Sequence, residues 1–195
     1  MENFLLVVAV YHRLAIYVDF NGMTRMRVVG IFGITCVVVG FGWVIVKILR
    51  QRDFLWLLRY QLWTVAFGIL LYALLPTDYF VHYYNTRQIL NGNLPPSVQI
   101  PTHETTAEGV LPLIRLIDSK DETIRNGVRA TLADWYERIA LSEAEQKDWR
   151  NHQQSHLQLR RRLEPLRAAW QPFLDDTVKR KAALDNFYSY TYRWY

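Results

Sequence analysis

The sequence has one cysteine, no glycine-rich loop, no run of strand-like alternation and, in its first ninety residues, little charge. A lone Cys36 excludes a disulfide scaffold, and its place in the middle of an apolar run makes a buried, inert thiol the expected state. Gly30, Gly33, Gly40 and Gly42 all lie in that same run, where they let helices approach closely and do not cradle phosphate. Without period-two alternation the chain reads as all-α. Residues 1–90 hold 8 of the 23 Lys+Arg and 4 of the 18 Asp+Glu, leaving 15 and 14 for residues 91–195. The mean hydropathy of −0.06 is therefore the average of two unlike halves. At 51% hydrophobic residues the chain is too apolar for wholesale disorder.

What is present first is a pair of long apolar runs. Val28 to Val46 is 19 residues without a charged side chain, roughly 28 Å as a helix, which is close to the hydrocarbon thickness of a bilayer. Phe54 to Leu75 is long enough too, and Arg59 sits near its start, where the guanidinium snorkels to the interface. Lys47, Arg50, Gln51, Arg52 and Asp53 form a polar hairpin between the runs, and Pro76 ends the second. The opening MENFLLVVAVYHRLAIYVDF is either a third span, with His12 and Arg13 facing other helices, or an interfacial helix. Glu2 in place of a basic amino end, with no small-residue cleavage site, argues against a secretory signal. Asn21-Gly22 reads as a turn and Thr24 as the N-cap of the next helix.

Tyr72, Tyr79, Phe80, Tyr83 and Tyr84 suit the lipid headgroup layer and equally suit the start of a soluble core. Asn91-Gly92-Asn93, Pro95-Pro96 and Pro101 then mark a linker over 91–104. Beyond it the chain predicts a short helix interrupted near Pro112. Ile124, Val128, Leu132, Trp135 and Ile139 predict an amphipathic helix. Ser142 with Glu145 is a capping box opening another helix to about Leu163, and Pro165 restarts the chain. A further stretch runs from Asp175 to Tyr188, and the aromatic tail 186–195 is expected to pack back on the domain or on the lipid-proximal aromatic cluster.

No catalytic motif stands out, so whether the protein is an enzyme stays open. His103-Glu104 lacks the second histidine of a zinc peptidase helix. His152 and His156 share a helical face with Asp148 in reach, but on a Gln-rich helix such histidines are ordinarily solvated. Arg160, Arg161 and Arg162 are balanced by nearby acids, and the excess charge, +4 of the net +5, lies among membrane-flanking residues. No metal, no cofactor and no nucleic-acid partner is expected. The ionisable residues singled out are Asp19, Arg25, Arg27, Asp78, His82 and Arg87, as a structural or functional charge cluster near the membrane surface.

Tyr17-Val18-Asp19, Gly22, Thr24-Arg25 and Arg27 resemble the Tyr-Val-Asp-x-x-Gly-x-Thr-Arg-x-Arg signature of bacterial multi-pass membrane proteins of the domain of unknown function 4153 or 4173 type. The order that follows is also similar: a span, a basic hairpin, a second span, then Asp78-Tyr79 through Tyr84-Asn85 to Leu90. In that family the signature follows several earlier membrane helices, so the resemblance is to the carboxy-terminal part, as a fragment or a shortened member. It implies a spanning first helix and supplies no activity.

These readings predict two or three transmembrane helices, at about 3–20, 28–49 and 54–75 within a membrane region 1–90, followed by the linker and a small helical domain over 105–195. The expected setting is a bacterial inner membrane, with the basic hairpin cytoplasmic and the carboxy-terminal domain extracytoplasmic. The expected partners are the lipid bilayer and other membrane proteins. The expected role is interaction, assembly or signalling; the alternative is part of a membrane enzyme or transporter whose site needs further helices.

Overall fold

The computed structural model describes residues 2–145 and 154–194. It is helical, with no strand among the described residues. Two candidate membrane-spanning helices near the amino end precede a helical domain, and the chain divides into two compact units.

The first unit comprises Met1–Val18 and Thr24–Thr77. Its helices are α1 (Glu2–Asn21), α2 (Arg25–Leu49) and α3 (Phe54–Leu74). The first of these runs unbroken through His12 and Arg13. The second begins at Arg25, three residues before the apolar run, as the expected N-cap requires: the Thr24 hydroxyl accepts the Arg27 N–H at 3.2 Å. Both α2 and α3 are long and apolar enough to cross a bilayer, with mean hydropathies of 2.4 and 1.5 and only 6% and 0% of their apolar windows buried.

Polar groups placed for short-range pairing join α2 to α3 as a hairpin. Trp43 Nε1 donates to Thr64 Oγ1 at 2.9 Å, and Gln61 Nε2 donates to the Gly40 carbonyl at 3.1 Å. Gly40 admits this contact because a Cβ there would stand 2.7 Å from Gln61 Oε1. Cys36 packs its sulfur on Gly68, and Trp43, Trp56 and Tyr60 cluster toward the hairpin end. Tyr11 and Thr35 join α1 to α2 through their hydroxyls at 2.8 Å.

The second unit comprises Asp19–Met23 and Asp78–Tyr195. It holds nearly all of α4 (Thr77–Leu90), then α5 (Ala107–Leu113), α6 (Glu122–Glu145), α7 (Gln154–Leu163), α8 (Arg167–Leu174) and α9 (Thr177–Tyr192). The predicted stripe of α6 is its core face: Ile124, Val128, Leu132 and Ile139 are buried, with Trp135 partly so. Leu113, Leu116, Leu159, Leu163, Trp170 and Phe187 close around it. As predicted, α5 gives way to a 3-10 turn, Ile114–Leu116, directly after Pro112 and Leu113. Phe187 seats its ring on Gly127, so the aromatic carboxy-terminal stretch packs back on the domain.

One expectation is corrected. Ser142 does not open a helix: it lies in the last turns of α6, since Ala140-Leu141-Ser142 holds neither proline nor glycine to stop the helix begun at Glu122. Within residues 91–104, Pro95–Gln99 forms a 3-10 turn in which Pro96 through Gln99 are buried. Helix α4 joins the second unit from Asp78 onward.

Candidate functional site

The most specific constellation in the second unit surrounds the signature turn, Asp19–Met23. Gly22 adopts φ +79, a left-handed conformation open to glycine at little cost. A Cβ there would also meet Asn85 Oδ1 at 2.8 Å and Pro96 Cβ at 2.9 Å. With the backbone this close, side-chain amides reach its polar groups directly. Asn85, fully buried on α4, donates from Nδ2 to the Met23 carbonyl at 2.9 Å and accepts the Met23 N–H on Oδ1 at 2.6 Å. Gln99 donates to the Asn21 carbonyl at 2.8 Å, and Asn93 to the Asp19 carbonyl at 2.8 Å. Gln88 donates to the Asp19 carboxylate at 3.3 Å. Three carboxamides thus bond the backbone of the turn, and a fourth, Gln88, bonds its Asp19 side chain.

Among the singled-out ionisable residues, Asp78 and His82 come together. They stand one turn apart on the buried face of α4, 7% and 3% exposed, and both pack against α5. A Cβ on Gly109 would lie 2.9 Å from Asp78 Cβ and 3.0 Å from His82 Cδ2. Asp78 Oδ2 accepts the N–H of Thr106, the N-cap residue of α5, at 3.0 Å, which fixes the start of that helix. Arg87 lies on the opposite, exposed side of α4, and Asp19 is exposed at the end of α1. Arg25 and Arg27 open α2 in the first unit, exposed and half-buried respectively.

His103 and Glu104 border a cleft of about 510 Å³ that also takes in Asp134, Trp135, Arg138 and Tyr188. Arg138 pairs with Asp134 at 2.9 Å and lies over the Trp135 ring. His156 meets the edge of Trp135, while His152 and Asp148 lie outside the described residues. Among the described residues no three His, Cys, Asp or Glu side chains are grouped to hold a metal.

Gly22 and Asn85 were visible in the sequence as motif positions, but their mutual fit was not. The carboxamides of Gln88, Asn93 and Gln99 were missed altogether. Their signal is the density of Asn and Gln between Asn85 and Gln99, polar groups without charge in a segment with few ion pairs to make.

No curated protein and no solved structure matches this chain. A family model described as a domain of unknown function (DUF4153) matches residues 1–115. That span includes the turn, every carboxamide that holds it, and the Asp78–His82–Gly109 packing, and it stops before α6. The chain belongs to the DUF4153 family.

Proposed function

We propose that this is a multi-pass membrane protein of a bacterial inner membrane that works as an interaction, assembly or signalling component, presenting its helical domain outside the cytoplasm. The observation that carries the interaction reading is the dispersal of the ionisable residues. Arg87 leaves α4 on the side opposite Asp78 and His82, and Asp19 is engaged through Gln88 and Asn93. Catalysis or ion transfer at one centre needs such groups to converge.

Membrane residence is supported by the outward apolar faces of α2 and α3. Two crossings return the chain to its starting side, in keeping with the turn 19–23 and the helices after Thr77 sharing one unit. The basic hairpin residues Lys47, Arg50 and Arg52 favour a cytoplasmic hairpin. A Cβ at Gly30, Gly33 or Gly42 would meet nothing within 4 Å, which leaves room for close approach of lipid or of a further membrane helix. The second reading, part of a membrane enzyme or transporter, draws on Asp78 and His82, the pair that does share a buried face.

Reporter fusions after Gln51 and after Glu145 test the orientation: activity of a cytoplasmic reporter is expected only from the first. The same signal from the second overturns the extracytoplasmic placement. Gentle detergent extraction tests the role, with a stoichiometric second membrane protein expected in the purified complex. Recovery of the chain alone, together with loss of a transported or converted substrate on Asp78→Asn and His82→Gln substitution, favours the second reading.

A further inference from the structure

Helix α4 is built inside out. At 100° per residue its inward side carries Asp78, Val81, His82, Asn85, Thr86 and Ile89, all buried. Its outward side carries Tyr79, Phe80, Tyr83 and Leu90, exposed by 36%, 49%, 37% and 51%, with Arg87 among them. A helix on a water-soluble domain turns its apolar stripe inward and its polar residues out. Here the polar side chains face the protein, where Asn85 and Asp78 bond backbone groups, and the aromatic ones face away.

The outward rings are ordered. Tyr79 stacks on Tyr83 with centroids 6.1 Å apart and planes at 13°, and Phe80 meets Tyr79 edge-on at 6.0 Å. The guanidinium of Arg115 lies 5.4 Å from the centre of the Tyr83 ring. Arg87 and Arg115 are both exposed, so the aromatic face is bordered by two cations and by no acidic side chain of α4 except the buried Asp78. Helix α3 ends at Leu74, six residues before Phe80. Chain geometry limits that separation to roughly 20 Å.

We propose that α4 is an interfacial helix: Tyr79, Phe80 and Tyr83 lie in the boundary between headgroups and acyl chains of the bilayer that α3 crosses, with Arg87 and Arg115 at lipid phosphates. Rings with an apolar body and a polar edge partition to that layer, and basic side chains beside them pair with anionic headgroups. The inner face of α4 thereby holds the signature turn while its outer face holds lipid. This inference rests on the membrane reading of α3.

The test uses the full chain with Cys36→Ser and one added cysteine, at Phe80→Cys, Tyr83→Cys, Phe67→Cys or Val178→Cys, each carrying an environment-sensitive fluorophore. Phe67 on α3 is 62% exposed and Val178 on α9 is 78% exposed in the structure. The protein is reconstituted in phosphatidylcholine–phosphatidylglycerol vesicles, with or without brominated acyl chains. Expected at 80 and 83 are blue-shifted emission, loss of intensity with brominated lipid and weak quenching by iodide. The probe at 67 should respond to brominated lipid as well, and the probe at 178 to iodide alone. Quenching at 67 by brominated lipid, with 80 and 83 open to iodide, overturns the interfacial helix and leaves the membrane reading standing. No bromine quenching at 67 overturns both. Probes at 80 and 83 shielded from both quenchers mean that a protein covers the face, which overturns the assignment to lipid.

Discussion

The side chain of Asn85 pairs with both backbone polar groups of Met23, across 62 residues of sequence. It supplies one donor and one acceptor in the fork spacing that a neighbouring strand would offer, at a place where the chain has no strand. Asn85→Leu removes both bonds and leaves the Met23 N–H and C=O without them. An orphaned group of this kind costs about 1–3 kcal/mol, discounted because Met23 is only part-buried. Denaturant unfolding of the detergent-solubilised protein should show a midpoint clearly below wild type. Asn85→Asp, which keeps the acceptor but sets a buried carboxylate oxygen against the Met23 carbonyl, should be at least as damaging at neutral pH.

Gly22 and Gly92 both have positive φ, +79 and +94, but only Gly22 is crowded. Alanine at Gly92 meets nothing within 4 Å and pays the left-handed backbone term alone, about 1 kcal/mol. At Gly22 the same term is joined by collisions with Asn85 and Pro96, which disrupt the amide pairing as well. Gly22→Ala should therefore lower thermal stability substantially more than Gly92→Ala. Equal losses would show that the close approach at Gly22 is not energetically specific.

Phe187 and Gly127 form a ring-on-glycine seat at the centre of the second unit. Phe187→Ala empties that seat and should cost about 3–5 kcal/mol, enough to unfold or deplete a marginal domain. Gly127→Ala should be destabilising by overpacking, and adding Phe187→Leu should recover part of the loss. Strict additivity in calorimetric midpoints would contradict the contact. Deleting residues 186–195 should be at least as damaging as Phe187→Ala.

Tyr190 donates its hydroxyl to Asp121, and burial followed by that carboxylate raises the phenol above its ordinary value of 10.0, with Arg193 pulling the other way. The folded state thus favours the neutral phenol. Its stabilisation is complete below pH 10 and declines as pH rises through the raised folded value. Tyr190→Phe should lose about 1 kcal/mol at neutral pH. The gap between variant and wild type should narrow in alkaline urea titrations, and a gap constant with pH would count against the pair.

Long-period features were legible from the sequence. The apolar runs of α2 and α3, the stripe of α6, the Thr24 cap and the breaks at Pro112 and Pro165 are all set by residues within a few positions of one another. Pairings between distant segments were not. Asn85 as a motif position says nothing of Met23, and a turn sequence such as Asn21-Gly22 gives no sign that it packs against Pro96. The prolines and glycine of 91–104 signal irregular backbone, which is correct, yet irregular backbone is also what a buried 3-10 turn requires. Proximity to the apolar runs is all that the sequence offers for grouping Asp19, Arg25, Arg27, Asp78, His82 and Arg87. Helical phase then separates Arg87 from Asp78 and His82, and a charge count takes no account of phase.

Because Asp19–Met23 belongs to the second unit, the chain passes between units three times, at 18/19, 23/24 and 77/78. A protease cutting once after Thr77 would sever one connection and release nothing. The cut domain would remain attached through the amides of Asn85, Gln88, Asn93 and Gln99 gripping the turn. A polypeptide begun at Asp78 would instead carry those four amides without the turn they hold, a domain missing one of its own pieces.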